Sequence, residues 1–522
     1  MTHEAFGPEV NPCREAGPAS GVWRPRRRMA AVCGVAGIAL LAWVSCAMAQ
    51  VTGPGSTTGQ VPSLVTLVTT ETAEGIYDYN ALELAAARAN DAAYATLLPI
   101  CTGATAATSC TGATQQLFFQ LRALEDNANE LLGRGQIAYS LRLAPFGVAQ
   151  ALQWTAPEEY AAQGSMTTQF ANSQATVLSN RLGALHFASM VTALADNIDD
   201  PSSATWAQAY RAIGAGAEGG GGGDTLASAS FGRFSAFVNA GFGAGDKNPT
   251  VFEDAFNFDS TEVSAGLDYR FTDRFVVGLL AGHTERRVDF NSAESIVAGQ
   301  IRGNGQSATL YAQYEADAAY VDGSIGTQHM SLHTIRVITY PSNNPAVPSV
   351  NETALSDAGA NTTTATLATG YVLHYRSASM EPYLNAQYSH TIVGGFTETN
   401  TNGFDVNVSS QSIPSTEAIA GLKLQYALLP PFGVIVPYIY GEYRHQFSGA
   451  SRTVESTYAA DTVPGSGFEI PTDALPGHYF VVGAGGSIVL KFGLQAFAQY
   501  VRVLNYTNYT DHVFSGGFRW EF

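Results

Sequence analysis

The 522-residue sequence is poor in charged side chains and has no long apolar run beyond its N-terminus. Charged residues make up 13% of the chain, about half the share of an average globular protein. Hydrophobic residues make up 46%, so much of the surface is expected to face something other than water. No uncharged apolar run reaches about eighteen residues, which excludes membrane-spanning helices. The abundant Gly, Tyr and Phe (53, 24 and 27 residues) indicate strands instead.

The N-terminus has the pattern of an export signal. Basic residues at 24–28 precede an apolar run from Ala30 to Val44, and a small-x-small site ends at Ala49. This order predicts a signal peptide over residues 1–49, cleaved before Gln50. A membrane anchor is the alternative, although the apolar run is short for a spanning helix.

Cysteine is scarce, and its positions agree with export. Three of the five Cys lie within the predicted signal peptide, which leaves Cys101 and Cys110. Two Cys nine residues apart in an exported chain predict a disulfide that closes a small loop. A metal site is disfavoured because no further ligands lie nearby.

The first part of the mature chain has helical periodicity. Between residues 78 and 211 the apolar residues recur at spacings that gather them on one helix face. Examples are Leu117, Leu121, Leu124 and Leu131, and then Met166, Phe170, Val177, Leu178, Leu182 and Leu185. The pattern predicts a small domain of three to five helices within residues 50–213. Residues 214–230 follow as a glycine-rich linker, with five consecutive glycines at 219–223.

After the linker the apolar period becomes two. From Glu262 to Phe271, and again from Tyr383 to Ile392, apolar residues alternate with polar or small ones. One face of each segment suits hydrocarbon and the other suits a polar lumen. About twelve such segments follow one another, near Arg233, Glu262, Arg274, Gln306, Ala319, Thr364, Met380, Ser415, Phe432, His478, Gly493 and His512.

The connections between these segments alternate in length. Short turns are predicted at 272–273, 317, 377–378, 430–431 and 491–492. Long loops are predicted at 243–260, 286–303, 340–361, 394–412 and 447–476. An even-stranded membrane barrel with both termini in the periplasm has this alternation, whereas a soluble sandwich or propeller does not require it. The predicted fold is therefore mainly β: a 12-stranded antiparallel transmembrane β-barrel over residues 231–522, preceded by the small helical domain and the linker.

The last predicted strand, residues 511–522, ends on an aromatic residue. Its apolar face carries Phe514, Phe518, Trp520 and Phe522. A terminal strand with this face would promote aggregation as an exposed edge in water. Closure of a barrel in lipid buries it.

Several stretches resemble the autotransporter β-domain family, and the resemblance covers roughly Phe231 to Phe522. The stretches are residues 263–274, 381–383, 436–438 and 518–522. Residues 156–185 also look like the short helical segment that precedes such barrels. Ser515, Gly517, Trp520 and Phe522 match the spacing of the signal that the barrel-assembly machinery reads on last strands. A membrane-interface girdle is the alternative role for these aromatics, and the two interpretations are compatible.

The resemblance implies an outer-membrane translocator that anchors or exports its own short N-terminal region. Its implied partners are outer-membrane lipid, the barrel-assembly machinery, periplasmic chaperones and the export translocon. About 165 residues are available as cargo, and they contain no repeat, so a β-helical adhesin is not expected. A porin-like channel or structural outer-membrane protein with a periplasmic helical domain is the alternative.

No catalytic motif stands out, and we predict neither enzymatic activity nor a metal or cofactor. Glu158 and Glu159 fit the N-terminal charge of a helix better than an acid/base pair. Gly223-Asp224, with Asp511-His512, is a weak esterase-like pattern without the domain such a nucleophile needs. His186 is expected to be satisfied or exposed, and Arg444 could form a structural ion pair with Glu442. Removal of the signal peptide takes five of 26 basic and three of 44 acidic residues, so the net charge becomes about −20. That charge argues against nucleic acid as a partner.

Overall fold

The computed structural model describes most of the mature chain in separate stretches. The described residues are 61–195, 233–272, 274–290, 295–316, 318–428, 430, 432–448, 450–461, 467–490, 494–506 and 508–521. The predicted signal peptide with its Ala49–Gln50 cleavage site lies outside these residues. The glycine linker, Gly223-Asp224 and Phe522 also lie outside them.

Six helices occur in the described residues, against the three to five that were predicted. They are α1 (Leu64–Glu74), α2 (Ala81–Thr102), α3 (Ala106–Ser109), α4 (Gly112–Leu131), α5 (Pro145–Thr155) and α6 (Tyr160–Ala195). The additional helix is α3, a single turn inside the loop that a Cys101–Cys110 disulfide closes. No helix of the described part combines the length and the hydrophobicity of a membrane span.

Helices α1, α2, α4 and α5 pack into a small bundle. Asn80 and Glu83 form a reciprocal capping box at the start of α2, which satisfies two backbone N–H groups there. Leu67, Leu82 and Leu152 are fully or almost fully buried in the bundle core. The short helices thus gain their stability from packing rather than from propensity.

The described residues that follow the helices contain seventeen strands. They are β1 (Phe234–Lys247), β2 (Phe256–Thr272), β3 (Phe275–Asp289), β4 (Ala298–Ala316), β5 (Ala319–Tyr340), β6 (Val350–Tyr371), β7 (Leu373–Tyr375), β8 (Ala378–Val393), β9 (Phe396–Thr397), β10 (Val406–Val408), β11 (Gln411–Tyr426), β12 (Gly433–Gln446), β13 (Thr453–Tyr458), β14 (Phe468–Pro471), β15 (His478–Leu490), β16 (Leu494–Leu504) and β17 (Tyr509–Glu521).

Twelve of these strands close into an antiparallel barrel, which confirms the predicted fold class. Neighbours in sequence order pair throughout, β8 pairs with β11, and β17 pairs with β1 from Ser235↔Glu521 to Lys247↔Tyr509. Strand β7 is a three-residue extension of β6 that pairs with the start of β8, so it is not counted as a separate barrel strand. Each of the twelve predicted segments corresponds to one barrel strand.

The two faces of the wall differ in polarity. One register line across β2 to β5 is apolar and exposed, and it consists of Leu267, Leu279, Leu310 and Ile325. The positions between them point inward and include buried Asp268 and Thr309. Apolar side chains outside and polar side chains inside are the pattern of a barrel in lipid.

The predicted loop boundaries were too wide. Strands β5 and β6 each run for 22 residues and pair up to Tyr340↔Val350, so the loop at 340–361 shrinks to residues 341–349. Beyond the apolar band the outward residues of these strands become polar, as His333 and Asp357 do. The outward hydrophobic signal therefore ends before the strand does.

Two of the predicted long loops contain a second sheet. Strands β9, β10, β13 and β14 form a four-stranded sheet beyond the barrel, in the order β14-β13-β10-β9. We call it the loop sheet. Its strands have two to six residues, too few to produce a periodic sequence signal.

Candidate functional site: the barrel lumen and its helix

Helix α6 runs through the lumen from one end of the barrel to the other. At its start, the hydroxyl of Tyr160 lies 3.1 Å from Ser356 Oγ, on β6 near the long loops. Further along, Arg181 Nε donates to Asp268 Oδ2 at 2.8 Å, near the short turn after β2. A helix of 36 residues is about 54 Å long, which exceeds the thickness of a bilayer's hydrocarbon core.

A buried ion pair holds the helix at the short-turn end. The side chains of Arg181 and Asp268 are 3% and 5% exposed. Asp268 also accepts hydrogen bonds from Ser235 Oγ at 2.6 Å and from the Tyr311 hydroxyl at 3.0 Å. The Arg181 guanidinium lies 5.1 Å from the centre of the Phe237 ring. Because the carboxylate is fully hydrogen-bonded, the geometry compensates for the desolvation of both charges.

His186 is satisfied rather than exposed, one of the two outcomes expected from the sequence. Its Nε2 lies 3.2 Å from Asp322 Oδ2, and its Nδ1 lies 3.4 Å from Glu381 Oε1. The ring stacks on Tyr320 with centroids 3.6 Å apart. The imidazole therefore connects the helix to β5 and β8.

The middle of the helix is attached through amide and hydroxyl side chains. Gln174 donates to Glu262 and to Ser264, and its oxygen accepts from Ser307 at 2.9 Å. Arg286 donates to the oxygens of Gln169 and Ser173 at 3.1 and 2.8 Å. These contacts lie on β2, β3 and β4.

The apolar stripe of α6 packs against the same side of the barrel. Met166 and Phe170 are buried with residues of β4, β5 and β6. A Cβ atom at Gly303 would lie 3.0 Å from the Met166 Cε, and one at Gly305 would lie 2.9 Å from the Phe170 ring. The glycines of β4 thus make room for the helix, which explains part of the high glycine content.

A second buried ion pair closes the long-loop end. Arg336 of β5 donates two hydrogen bonds of 2.7 Å to Glu398, and both side chains have no solvent exposure. Glu398 also accepts from the Tyr160 hydroxyl and from the Val406 N–H. The pair therefore connects the start of α6, the barrel wall and the loop sheet.

Glu158 and Glu159 immediately precede α6, but they are buried, which the sequence did not predict. They are 3% and 1% exposed, and neither carboxylate oxygen of Glu158 has a partner among the described residues. Burial, reinforced by nearby Asp254, raises the pKa of Glu158 well above its ordinary value. Burial raises the pKa of Glu159 to about 8, although Arg336 opposes the shift.

The helical bundle packs against the long-loop end of the barrel. Its buried residues form one hydrophobic cluster with those of the loop sheet and of the outer ends of β5 and β6, including Ile338, Phe404, Val454, Phe468 and Ile470. Tyr458 donates to Asn90 at 2.6 Å, and Asn344 donates to the backbone oxygens of Ala138 and Ser140 at 2.8 Å. The bundle and the loops therefore share a core.

The opposite side of the lumen is less filled. A cavity of about 350 Å³ lies between α6 and a part of the wall that extends from β11, β12, β15, β16 and β17 across β1 to residues of β2 and β3. Polar helix residues such as Asn172 and Thr176 face it, together with Arg444 and Tyr479. Arg444 pairs with Glu442 at 2.6 Å, as the sequence indicated, and with Glu417 at 3.7 Å.

Of the four residues predicted as the assembly signal, Ser515, Gly517 and Trp520 lie on β17, and Phe522 lies outside the described residues. The aromatic side chains of this strand face outward: Trp520 is 59% exposed, Phe514 58% and Phe518 64%. Ser515 and Gly517 occupy the inward-facing positions. Asp511 and His512 lie on the same strand, while their proposed partners Gly223 and Asp224 lie outside the described residues. Within the described part of the chain, no three His, Cys, Asp or Glu side chains are placed to hold a metal ion.

Sequence reasoning missed the Arg181–Asp268 and Arg336–Glu398 pairs. Arg181 interrupts an apolar helical stripe between Leu178 and Leu182, and Asp268 occupies the inward parity of its strand. A single charged residue at a position expected to be buried was the sequence feature that could have indicated a buried ion pair. The partner could not be identified, because the two residues are 87 positions apart.

Solved structures that are similar to this chain are barrel domains of low sequence identity. The translocator domain of the autotransporter NalP from Neisseria meningitidis is 13% identical, with 56% of this chain and 89% of that chain covered and a TM-score of 0.43. The β-domain of the Bordetella autotransporter BrkA is 15% identical, covering 55% and 99%, with a TM-score of 0.38. The transport unit of the autotransporter AIDA-I from Escherichia coli is 12% identical, covering 56% and 90%, with a TM-score of 0.38.

No curated protein matches the sequence. A family model, the autotransporter β-domain, matches residues 236–501, which is more than half of the chain and reaches from β1 into β16. The closed 12-stranded barrel and its apolar outer face agree with that match. The chain belongs to the autotransporter β-domain family, and its barrel is a translocator of the Gram-negative outer membrane.

Proposed function

We propose that this translocator exports its own helical bundle, α1–α5, and keeps it bound at the cell surface. The observation that carries the proposal is the path of the chain. The bundle packs at the long-loop end of the barrel, and α6 descends through the lumen to the short-turn end. In barrels of this class the long loops face the exterior and the short turns face the periplasm.

The contacts at the long-loop end favour retention over release. The bundle shares a hydrophobic core with the loop sheet, and the buried Arg336–Glu398 pair joins the loop sheet to the start of α6. Separation would expose this apolar surface to water, at about 25 cal/mol for each Å². The exported part therefore acts as a cap on its own barrel rather than as a released passenger.

Assembly requires partners beyond lipid. The proposal includes the export translocon and the signal peptide of residues 1–49, periplasmic chaperones, and the barrel-assembly machinery. Ser515, Gly517, Trp520 and Phe522 would form the signal on the last strand. Three of these residues lie on β17, whose pairing with β1 closes the barrel. The proposal assigns no catalytic activity to the chain.

The cavity beside α6 favours one second candidate, a porin-like channel. About 350 Å³ of space between the helix and the wall could hold water and small solutes. In that alternative the helical bundle would be periplasmic. The position of the bundle relative to the membrane therefore distinguishes the two functions.

Labelling of single cysteines in intact cells tests the proposal. Gln116 is exposed on α4, and Thr272 is exposed beside a short turn. With a membrane-impermeant maleimide, the Gln116→Cys variant should react in intact cells. The matched Thr272→Cys variant should react only after permeabilisation. The reverse pattern would refute surface display and favour the periplasmic alternative.

A further inference from the structure

A second, smaller cavity lies between α6 and the barrel wall, nearer to the short turns. Its volume is about 60 Å³, and it is lined by residues of α6, β1, β11, β12, β15, β16 and β17. Three of the lining side chains are cations, Arg181, Lys423 and Arg519. The lining includes no carboxylate, but it includes the amides of Asn180, Asn239, Gln425 and Gln495. The lining is therefore rich in cations and amides, although Arg181 is also paired with Asp268 outside the lining and Asn239 Oδ1 is a buried acceptor without a partner among the described residues.

One nitrogen of the Arg181 guanidinium has no hydrogen-bond partner at this site. Its Nε and Nη2 donate to Asp268, and Nη2 also donates to Ser235. Its Nη1 is buried and has no hydrogen-bond partner among the described residues, and the same holds for Asn180 Nδ2. Buried donors are normally satisfied, so two adjacent donors of α6 without partners indicate a missing acceptor.

Lys423 supplies the second cation from the wall. Its Nζ lies 4.8 Å from the centre of the Tyr438 ring. A Cβ atom at Gly183 would lie only 3.1 Å from this nitrogen, so the glycine allows the ammonium to reach the helix. Lys423 interacts electrostatically with Glu381, but it forms no ion pair with a carboxylate of the described residues. From β17, Arg519 Nη1 donates to Gln495 Oε1 at 3.3 Å.

Cations that share a desolvated cavity repel one another, and a bound anion removes that cost. Guanidinium groups suit oxyanions because their planar donors match the oxygens, and lysine adds a point charge. The volume exceeds that needed for a single water molecule and accommodates a tetrahedral ion.

We propose that this cavity binds a small inorganic oxyanion of the size and charge of phosphate or sulfate. The ion would accept hydrogen bonds from Arg181 and Asn180 on the helix and contact Lys423 on β11. It would thereby attach α6 to the side of the lumen where the helix has few direct contacts. The site requires only that α6 occupies the lumen, so it is independent of where the helical bundle lies.

Inorganic sulfate is the probe for the test. The full-length protein is folded in neutral detergent, and its apparent unfolding temperature is followed by the heat-modifiable band on gels. Sulfate titrated at constant ionic strength should raise this temperature in the millimolar range, with the logarithm of its concentration once the dissociation constant is exceeded, and by roughly 3 °C at tenfold excess. General exclusion of sulfate from protein surfaces instead acts in proportion to concentration and becomes large only at higher concentration.

The variants Lys423→Gln and Lys423→Met should fold but lose the rise at millimolar sulfate. Lys247→Gln is the matched control: Lys247 also faces the lumen, but it pairs with Glu253 and Asp473 at 3.3 and 2.9 Å. It should keep the rise. A response of the unmodified protein that is only proportional to sulfate concentration, or an equal rise at millimolar sulfate in both Lys423 variants, would overturn the proposal.

Discussion

The two sides of the lumen hold helix α6 in different ways. Strands β2–β6 and β8, which we call the packed wall, contact it through the apolar stripe and through Asp268, Asp322 and Glu381. Strands β11, β12 and β15–β17, the open wall, face it across cavities of about 350 and 60 Å³, and the larger cavity also reaches Glu262 and Arg286 on β2 and β3. Most direct contacts of the helix are therefore made on one side of the lumen. The barrel circumference is set by strand number, so space remains for water or ions on the other.

The largest expected effect comes from breaking the ion pair of the packed wall at the long-loop end. Arg336→Ala leaves Glu398 buried without its partner, which should cost about 3–5 kcal/mol of docking stability. Amide hydrogen exchange of α6 measures that cost. Arg444→Ala on the open wall is the control, and it should cost less because Arg444 is 12% exposed beside the cavity. Equal losses would show that the walls do not differ.

The second-largest effect should come from the loss of packing in the apolar stripe of α6. Phe170 is 1% exposed, and Phe170→Ala should destabilise the docked helix by about 3–5 kcal/mol if the space does not collapse. Thr176 lies on the cavity side of the same helix, and Thr176→Ala should change stability by no more than about 0.5 kcal/mol. Thermal unfolding and hydrogen exchange check both variants. A strongly destabilised Thr176→Ala variant would contradict the assignment of the two helix faces.

The buried acids before α6 predict a pH dependence of docking. Burial raises the pKa of both carboxyls, and that of Glu159 reaches about 8. A raised folded-state pKa means that the folded state binds more protons, so stability is highest near pH 4.5 and falls as pH rises to about 8. The loss should amount to a few kcal/mol.

Glu158→Gln and Glu159→Gln together should flatten this pH profile. The readout is the protease resistance of residues 156–159, which connect the bundle to α6, measured from pH 5 to 8.5. The facing charged groups are Lys247, Glu253, Asp254, Arg336 and Glu398. A profile that rises with pH in the unmodified protein would be incompatible with buried, protonated carboxyls.

The smallest effect concerns conductance along the open wall. The intact protein in a planar bilayer should show a low conductance, because α6 occupies much of the lumen but leaves the cavity beside it. Thr176→Trp should lower that conductance, since the ring projects into the open space. Met166→Leu, on the packed wall side, should leave it unchanged. A large conductance in the intact protein would show that α6 does not fill the pore.

The sequence predicted the barrel strands well and the extramembrane parts less well. The alternation in β2 and β8 was readable because lipid demands an apolar residue at every second position. Outside the lipid, outward positions need not be apolar. The strand pair β5 and β6 was therefore predicted too short, and the loop sheet was not predicted. The helical periodicity of the apolar residues predicted the bundle, although α3 was too short to detect.

The amino-acid sequence specifies the strand number, the face that each strand turns to lipid and the presence of a helical segment ahead of the barrel. These properties follow from local periodicity and from the solvent on each side. The three-dimensional fold was needed to show that α6 lies against one wall, that Arg181 meets Asp268 and that the bundle shares its core with the loops. Those choices depend on barrel register and on the rotation of the helix, which link residues far apart in the chain.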